Sequence, residues 1–175
     1  MSPEILFQTH LVLGYAAWLL CFDAYLLPKL REMGPIKGLR SIAMLHAFRF
    51  FGLVFILPGV VGPGLPEGFG PFAAYADLAT GLLAMLALLS YKRRPLFLAF
   101  TIAFNAVGLG DILADYYHAV RGGLPEVAGQ LGAAYAIPVL YVPLLVITHV
   151  TAFYLLTRLK EEKDRDFADK PSAGE

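Results

Sequence analysis

The sequence predicts an all-α fold: an integral membrane bundle of five transmembrane helices, with the N-terminus outside and the C-terminus in the cytoplasm. Three observations predict it. Hydrophobic residues make up 58% of the chain, too large a share for an ordinary soluble domain. Apolar runs recur along nearly its whole length, each long enough to cross roughly 30 Å of hydrocarbon. Basic residues gather in alternate connections between those runs.

The runs are Ile5–Leu27, Leu39–Val61, Phe72–Tyr91, Leu96–Ala119 and Leu131–Leu159, so residues 1–159 form one transmembrane domain. Lys29, Arg31, Lys37 and Arg40 stand between the first and second, and Lys92, Arg93 and Arg94 between the third and fourth. Arg158, Lys160, Lys163, Arg165 and Lys170 follow the fifth, whereas Arg121 is alone on the opposite side. The positive-inside rule then sets the orientation. With only Glu4 charged before the first run, the N-terminus reads as a retained span and not as a cleaved signal. The tail 160–175 alternates acids and bases before turning to Ser, Ala and Gly. Its first turns can extend the last helix, and the remainder is expected to be disordered and cytoplasmic.

Composition also excludes functions. Zero net charge gives no bulk attraction to nucleic acid. The single cysteine, Cys21, precludes an intrachain disulfide and a CxxC motif. No nucleophile elbow or phosphate loop is present, and no span contains a lysine for a retinal Schiff base.

Prolines and glycines punctuate the elements. Residues 58–71 (PGVVGPGLPEGFGP) cannot continue a helix and form an outer loop, packed as a lid. Arg93-Arg94-Pro95 is a tight turn, so spans three and four form an antiparallel hairpin; Val120–Gln130 is a second outer loop. Small-residue stripes Ala76-Thr80-Ala84 on span three and Ala106-Gly110-Ala114 on span four are expected to serve helix packing. Pro138 and Pro143 remove the helical donors to the carbonyls of Ala134 and Val139, predicting kinks in span five.

The candidate functional residues are polar groups at membrane depth. Arg49 sits in the middle of span two, where a guanidinium costs at least ~2.5 kcal/mol unless paired. Asp77 on span three and Asp111 on span four are its expected partners, with Asn105 nearby. Span four sorts Thr101, Asn105, Gly108, Asp111, Asp115 and His118 into one arc, which should face the interior. Arg49, Asp77, Asn105 and Asp111 form either a structural ion-pair lock or a centre that binds a small polar ligand or relays protons. His46 and His149 stand at matching depth on different spans, as bis-imidazole ligation of haem b requires, with Gly52 and Ala152 giving room. Asp23 could instead accept a bond from His149 or line an inner vestibule. His10, Asp77, Asp111, Asp115 and His118 offer oxygen and imidazole ligands towards the outside, a set suited to a divalent metal such as Zn²⁺, Mn²⁺ or Fe.

The run His46-Ala-Phe-Arg49-Phe-Phe-Gly52, with Ala74-Tyr75-Ala76-Asp77, Phe104-Asn105-Ala106-Val107-Gly108, Asp111, and Ile137-Pro138 through Pro143 to His149, resembles a family of small, uncharacterised bacterial multi-spanning membrane proteins. That resemblance implies a bacterial inner-membrane location and points to these polar positions, without implying an activity. His10, Trp18 and Leu27-Pro28-Lys29 are similar, more weakly, to the first span of small haem-binding membrane proteins of porphyrin metabolism and their copper-resistance relatives, with a longer spacing here. It implies His10 as a haem ligand.

Three classes follow: a ligand-binding or transport protein centred on Arg49, a haem-binding redox protein, and a metal-dependent membrane enzyme. The expected partners are the lipid bilayer, a small polar ligand or proton, and further copies or a larger membrane complex, in which a purely structural role is also open.

Overall fold

The computed structural model describes residues 1–168, and these are helical and loop only, with no strand among them. Five helices are long and apolar enough to cross a membrane: α1 (Pro3–Met33), α2 (Pro35–Ile56), α3 (Phe69–Leu89), α4 (Arg94–Arg121) and α5 (Ile137–Glu161). The last continues as a helix to Ala168. The expected disordered remainder of the tail lies outside the described residues.

Proline shapes α1 and α5 in the same way. The ring of a helical proline collides with the carbonyl four residues back. Both helices widen by one residue just before it: Leu27 N–H donates to Phe22 O ahead of Pro28, and Val142 N–H donates to Ile137 O ahead of Pro143. These are single π turns, a common way to absorb a local disruption of the helical ladder. In α5 the turn leaves acceptors for α1. Trp18 Nε1 donates to Leu140 O at 2.7 Å, and Gly14 lies so close to Val139 O that a side chain there would overlap it.

The wider winding of those turns contrasts with α2, which tightens. It is α-helical to His46 and then 3₁₀-helical from Ala47 to Ile56. A 3₁₀ helix has three residues per turn, so side chains at i and i+3 align. His46, Arg49, Gly52 and Phe55 therefore form one buried stripe, with the last three against Asp77 and Phe69 of α3.

α3 lies centrally between α2 and α4, and α1 is peripheral, resting on α5 and the 124–135 segment. Two apolar layers bracket the interior. Towards the Arg94 end lie Leu39, Ile42, Ala84, Phe97, Phe104 and Leu155. Towards the Arg121 end lie Phe55, Phe69, Leu124, Leu131 and Ile137. His46, Arg49, Asp77, Asn105 and His149 occupy the level between them.

Several boundaries differ from the sequence expectation. The fifth helix starts at Ile137, not Leu131, because Gly132 adopts φ +53° and breaks the preceding 3₁₀ segment Leu124–Tyr135. That segment replaces part of the expected second loop. α2 stops at Ile56 instead of Val61, with Leu57 already extended. The expected 58–71 loop ends at Gly68, because α3 already starts at Phe69, and it packs on the 124–135 segment: Gly62 N–H donates to Gln130 O at 2.7 Å and Gly64 N–H to Gln130 Oε1 at 3.2 Å.

The two small-residue stripes part company. On α3, Thr80 and Ala84 are buried between neighbouring helices, as expected. On α4, Ala106 and Gly110 are exposed, and a Cβ at Gly110 would meet nothing within 4 Å. The polar arc of α4 takes the interior, which turns this stripe outward.

Candidate functional site: a buried arginine with carboxylates from two helices

Arg49 is 2% exposed, and its guanidinium is held from three helices. Nε donates to Asp77 Oδ1 at 2.5 Å, and Nη2 pairs with the same oxygen and with Asp111 Oδ2 at 2.5 Å. Nη1 donates to the Gly108 carbonyl at 3.0 Å and faces His149 Nε2 at 3.4 Å. All three guanidinium nitrogens are thus engaged, through four hydrogen bonds and two ion pairs.

The helices supply this geometry through missing side chains. A methyl group on Gly52 would overlap the Asp77 carboxylate. A Cβ on Gly108 would stand 2.8 Å from Arg49 Nη1, 2.7 Å from His149 Nε2 and 2.6 Å from Thr80 Cγ2. Arg49 can reach α4 only because that turn is bare.

A directed hydrogen-bond chain extends from the guanidinium. Asn105 Nδ2 donates to Thr101 O at 2.7 Å, which leaves Asn105 Oδ1 to accept from His149 Nδ1 at 2.9 Å. His149 therefore carries its proton on Nδ1, and its Nε2 lone pair faces Arg49. It is a neutral acceptor in this arrangement. His46 follows similar logic: Thr148 Oγ1 donates to the Leu144 and Leu145 carbonyls, so its lone pair accepts from His46 Nε2 at 3.0 Å.

Four buried side-chain atoms have no partner among the described residues: Asp111 Oδ1, Asp115 Oδ1, His46 Nδ1 and Thr101 Oγ1. All four are acceptors in the states just derived, except the hydroxyl of Thr101, which can serve either way. A buried polar atom left unmatched costs about 1–3 kcal/mol, so such groups ask for water, a proton or a ligand.

A cavity of about 150 Å³ meets the centre from the Arg121 end. Arg49 and Asp77 lie at its buried side, Asp115 and Tyr116 line it from α4, and exposed Gln8 and Val120 stand at its rim.

The structure brings Arg49, Asp77, Asn105 and Asp111 together, as the sequence suggests. The haem arrangement does not fit. His46 and His149 are close, but their ring centroids are 4.0 Å apart, which leaves no space for a porphyrin plane between them. Both nitrogens of His149 are also engaged. Asp23 is exposed on peripheral α1, so it neither accepts from His149 nor lines an inner vestibule there. The outer metal set is dispersed. His10 is exposed and bonds Tyr135 Oη at 2.8 Å, and exposed His118 packs on the rings of Phe72 and Tyr117. Among the described residues, no group of three or more His, Cys, Asp or Glu could hold a metal ion. His10 as a haem ligand has no second imidazole beside it in these contacts.

Gly108 O, Thr148 and the role of Gly52 against Asp77 escape sequence reasoning. A signal for one of them exists: His46, Arg49, Gly52 and Phe55 recur every three residues, the period of the helix they adopt.

The fold and site define a helical bundle of membrane-spanning length built round a buried arginine paired with two carboxylates. The chain belongs to the family defined by a domain of unknown function, DUF8737, whose model matches residues 6–157. No curated protein and no solved structure matches it.

Proposed function

We propose that this protein spans the bacterial inner membrane with its Arg121 end outside, and that the Arg49 centre takes up a proton or a small hydrogen-bond-donating ligand from that side. The observation that carries this reading is the mismatch at the end of the cavity. One guanidinium pairs with Asp77 and Asp111, Asp115 follows one turn along α4, and two of these three carboxylates keep an unpartnered oxygen. Ionised together, the three carboxylates exceed the single cation by two charges in a site of low dielectric, where like charges cannot all persist. A proton or a donor group relieves the excess. The apolar layer of Leu39, Phe97, Phe104 and Leu155 separates the centre from the Arg94 end, so uptake is one-sided in this conformation.

A structural reading is favoured by one observation, the pairing of Arg49 with Asp77 and Asp111, which ties α2, α3 and α4 into a lock. The two roles differ in whether Asp111 or Asp115 carries a proton that exchanges. Treatment of membranes with a lipophilic carbodiimide, which attacks protonated carboxyl groups, followed by mass spectrometry separates them. Labelling at Asp111 or Asp115 that falls as pH rises is expected. Unlabelled carboxylates across the accessible pH range would leave the lock alone standing.

A further inference from the structure

The cavity is more selective than a generic polar pocket. Its volume, about 150 Å³, is that of an internal cavity able to hold a benzene-sized molecule. Most of its wall is apolar, with Phe7, Phe55, Phe69, Ile112, Leu124 and Leu145 prominent. The polar groups that line it mostly have partners already. Arg49 makes four hydrogen bonds. The exposed Gln8 amide donates to Glu4 Oε1 at 3.2 Å, and the Tyr116 hydroxyl shares a bond with Tyr15 Oη at 3.1 Å. The buried atoms left unmatched on this side are carboxylate oxygens: Oδ1 of Asp115, with Oδ1 of Asp111 one turn further in. Asp111 is 6% exposed.

Three classes of guest can be compared on this wall. An anion would add to the carboxylate excess. A hydrocarbon would fill the volume and leave Asp115 unmatched. A monocation with a compact apolar body answers both demands at once.

We infer that the cavity binds a small lipophilic amine, its ammonium on Asp115 and its apolar body among Phe7, Phe55, Phe69 and Ile112. The inference rests on the reading of the centre as a site for a proton or donor, and names the guest class. The amine enters past Gln8 and Val120, and its N–H groups supply donors to the unmatched carboxylate oxygens.

The test uses the full chain in lipid nanodiscs, with empty nanodiscs as the baseline for partitioning. Benzylamine, benzyl alcohol and benzoate serve as isosteric probes, followed by saturation-transfer NMR and by the midpoint of thermal unfolding. Benzylamine is expected to bind saturably and raise the midpoint, the alcohol at least tenfold more weakly, and benzoate not at all. Asp115→Asn should weaken benzylamine at least tenfold. Ala119→Leu, which fills the cavity without touching a charge, should abolish binding while the helical circular dichroism is retained. Benzoate binding as tightly as benzylamine, wild-type affinity in either variant, or no saturable amine binding would overturn the inference. Carbodiimide labelling of Asp111 or Asp115 reports separately on the proton. Labelling without amine binding removes the guest class alone, and loss of both removes the underlying reading.

Discussion

Asn105 fixes the tautomer of His149: its Oδ1 accepts the Nδ1 proton at 2.9 Å, so the opposite nitrogen presents a lone pair to Arg49. Neither residue is exposed at all. The amide is itself oriented by its bond to Thr101 O, which makes the chain of donors run one way, from Arg49 through His149 and Asn105 to the backbone of α4.

Replacing Asn105 by Leu leaves that imidazole N–H without an acceptor in the bundle interior. The expected loss of stability is about 1–3 kcal/mol, the cost of an unmet buried polar group. Nitrogen NMR of the histidine side chains provides the specific check. A single Nδ1–H tautomer is expected for His149 in the wild type, and a mixture or a shift to Nε2–H in the variant.

Two glycines should respond in opposite ways to the same change. Gly52→Ala pushes a methyl group into the Asp77 carboxylate and is expected to cost about 1–3 kcal/mol, as overpacking does. Gly110→Ala adds a methyl group in open space on α4 and is expected to be neutral or stabilising by up to about 1 kcal/mol, the helix-propensity difference. Thermal unfolding midpoints in one detergent compare them directly.

Arg49→Ala strands Asp77 and Asp111 and is expected to destabilise the bundle by about 3–5 kcal/mol, the range seen when one partner of a buried pair is removed. Arg49→Met combined with Asp77→Asn and Asp111→Asn removes the charges together and should recover most of that loss. Yield of monodisperse protein and unfolding midpoint are the readouts. A triple variant no better than Arg49→Ala would show that pairing is not what the arginine contributes.

Much of this was legible in the chain, for identifiable reasons. Hydropathy reveals helices because a bilayer demands long apolar runs. Arg49 announces its partners because a lone guanidinium at that depth is so costly that few other polar residues could answer it. Helix-wheel geometry puts Thr101, Asn105, Gly108 and Asp111 on the buried face of α4, where they are. What stayed hidden depends on helix winding. Depth counted at 1.5 Å per residue treats His46 and His149 as separate ligands, whereas the packing of α2 against α5 brings their rings to 4.0 Å between centroids, tilted at 43°. Likewise, Gly132 looks like any other glycine in an apolar run until its positive φ ends the segment. The outward turn of Ala106 and Gly110 followed from a competition between two plausible faces, which the polar arc won.

The proposed function requires the carboxylates around Arg49 to hold a proton or donor beyond the guanidinium itself. Infrared spectroscopy of the full chain in nanodiscs reads this most directly, through the carbonyl stretch of protonated carboxyl groups. Such a band is expected near neutral pH, sensitive to deuterium oxide, and lost in Asp115→Asn, Asp111→Asn or the double variant. A wild-type spectrum without that band, in a preparation free of bound amine, would contradict the proposal.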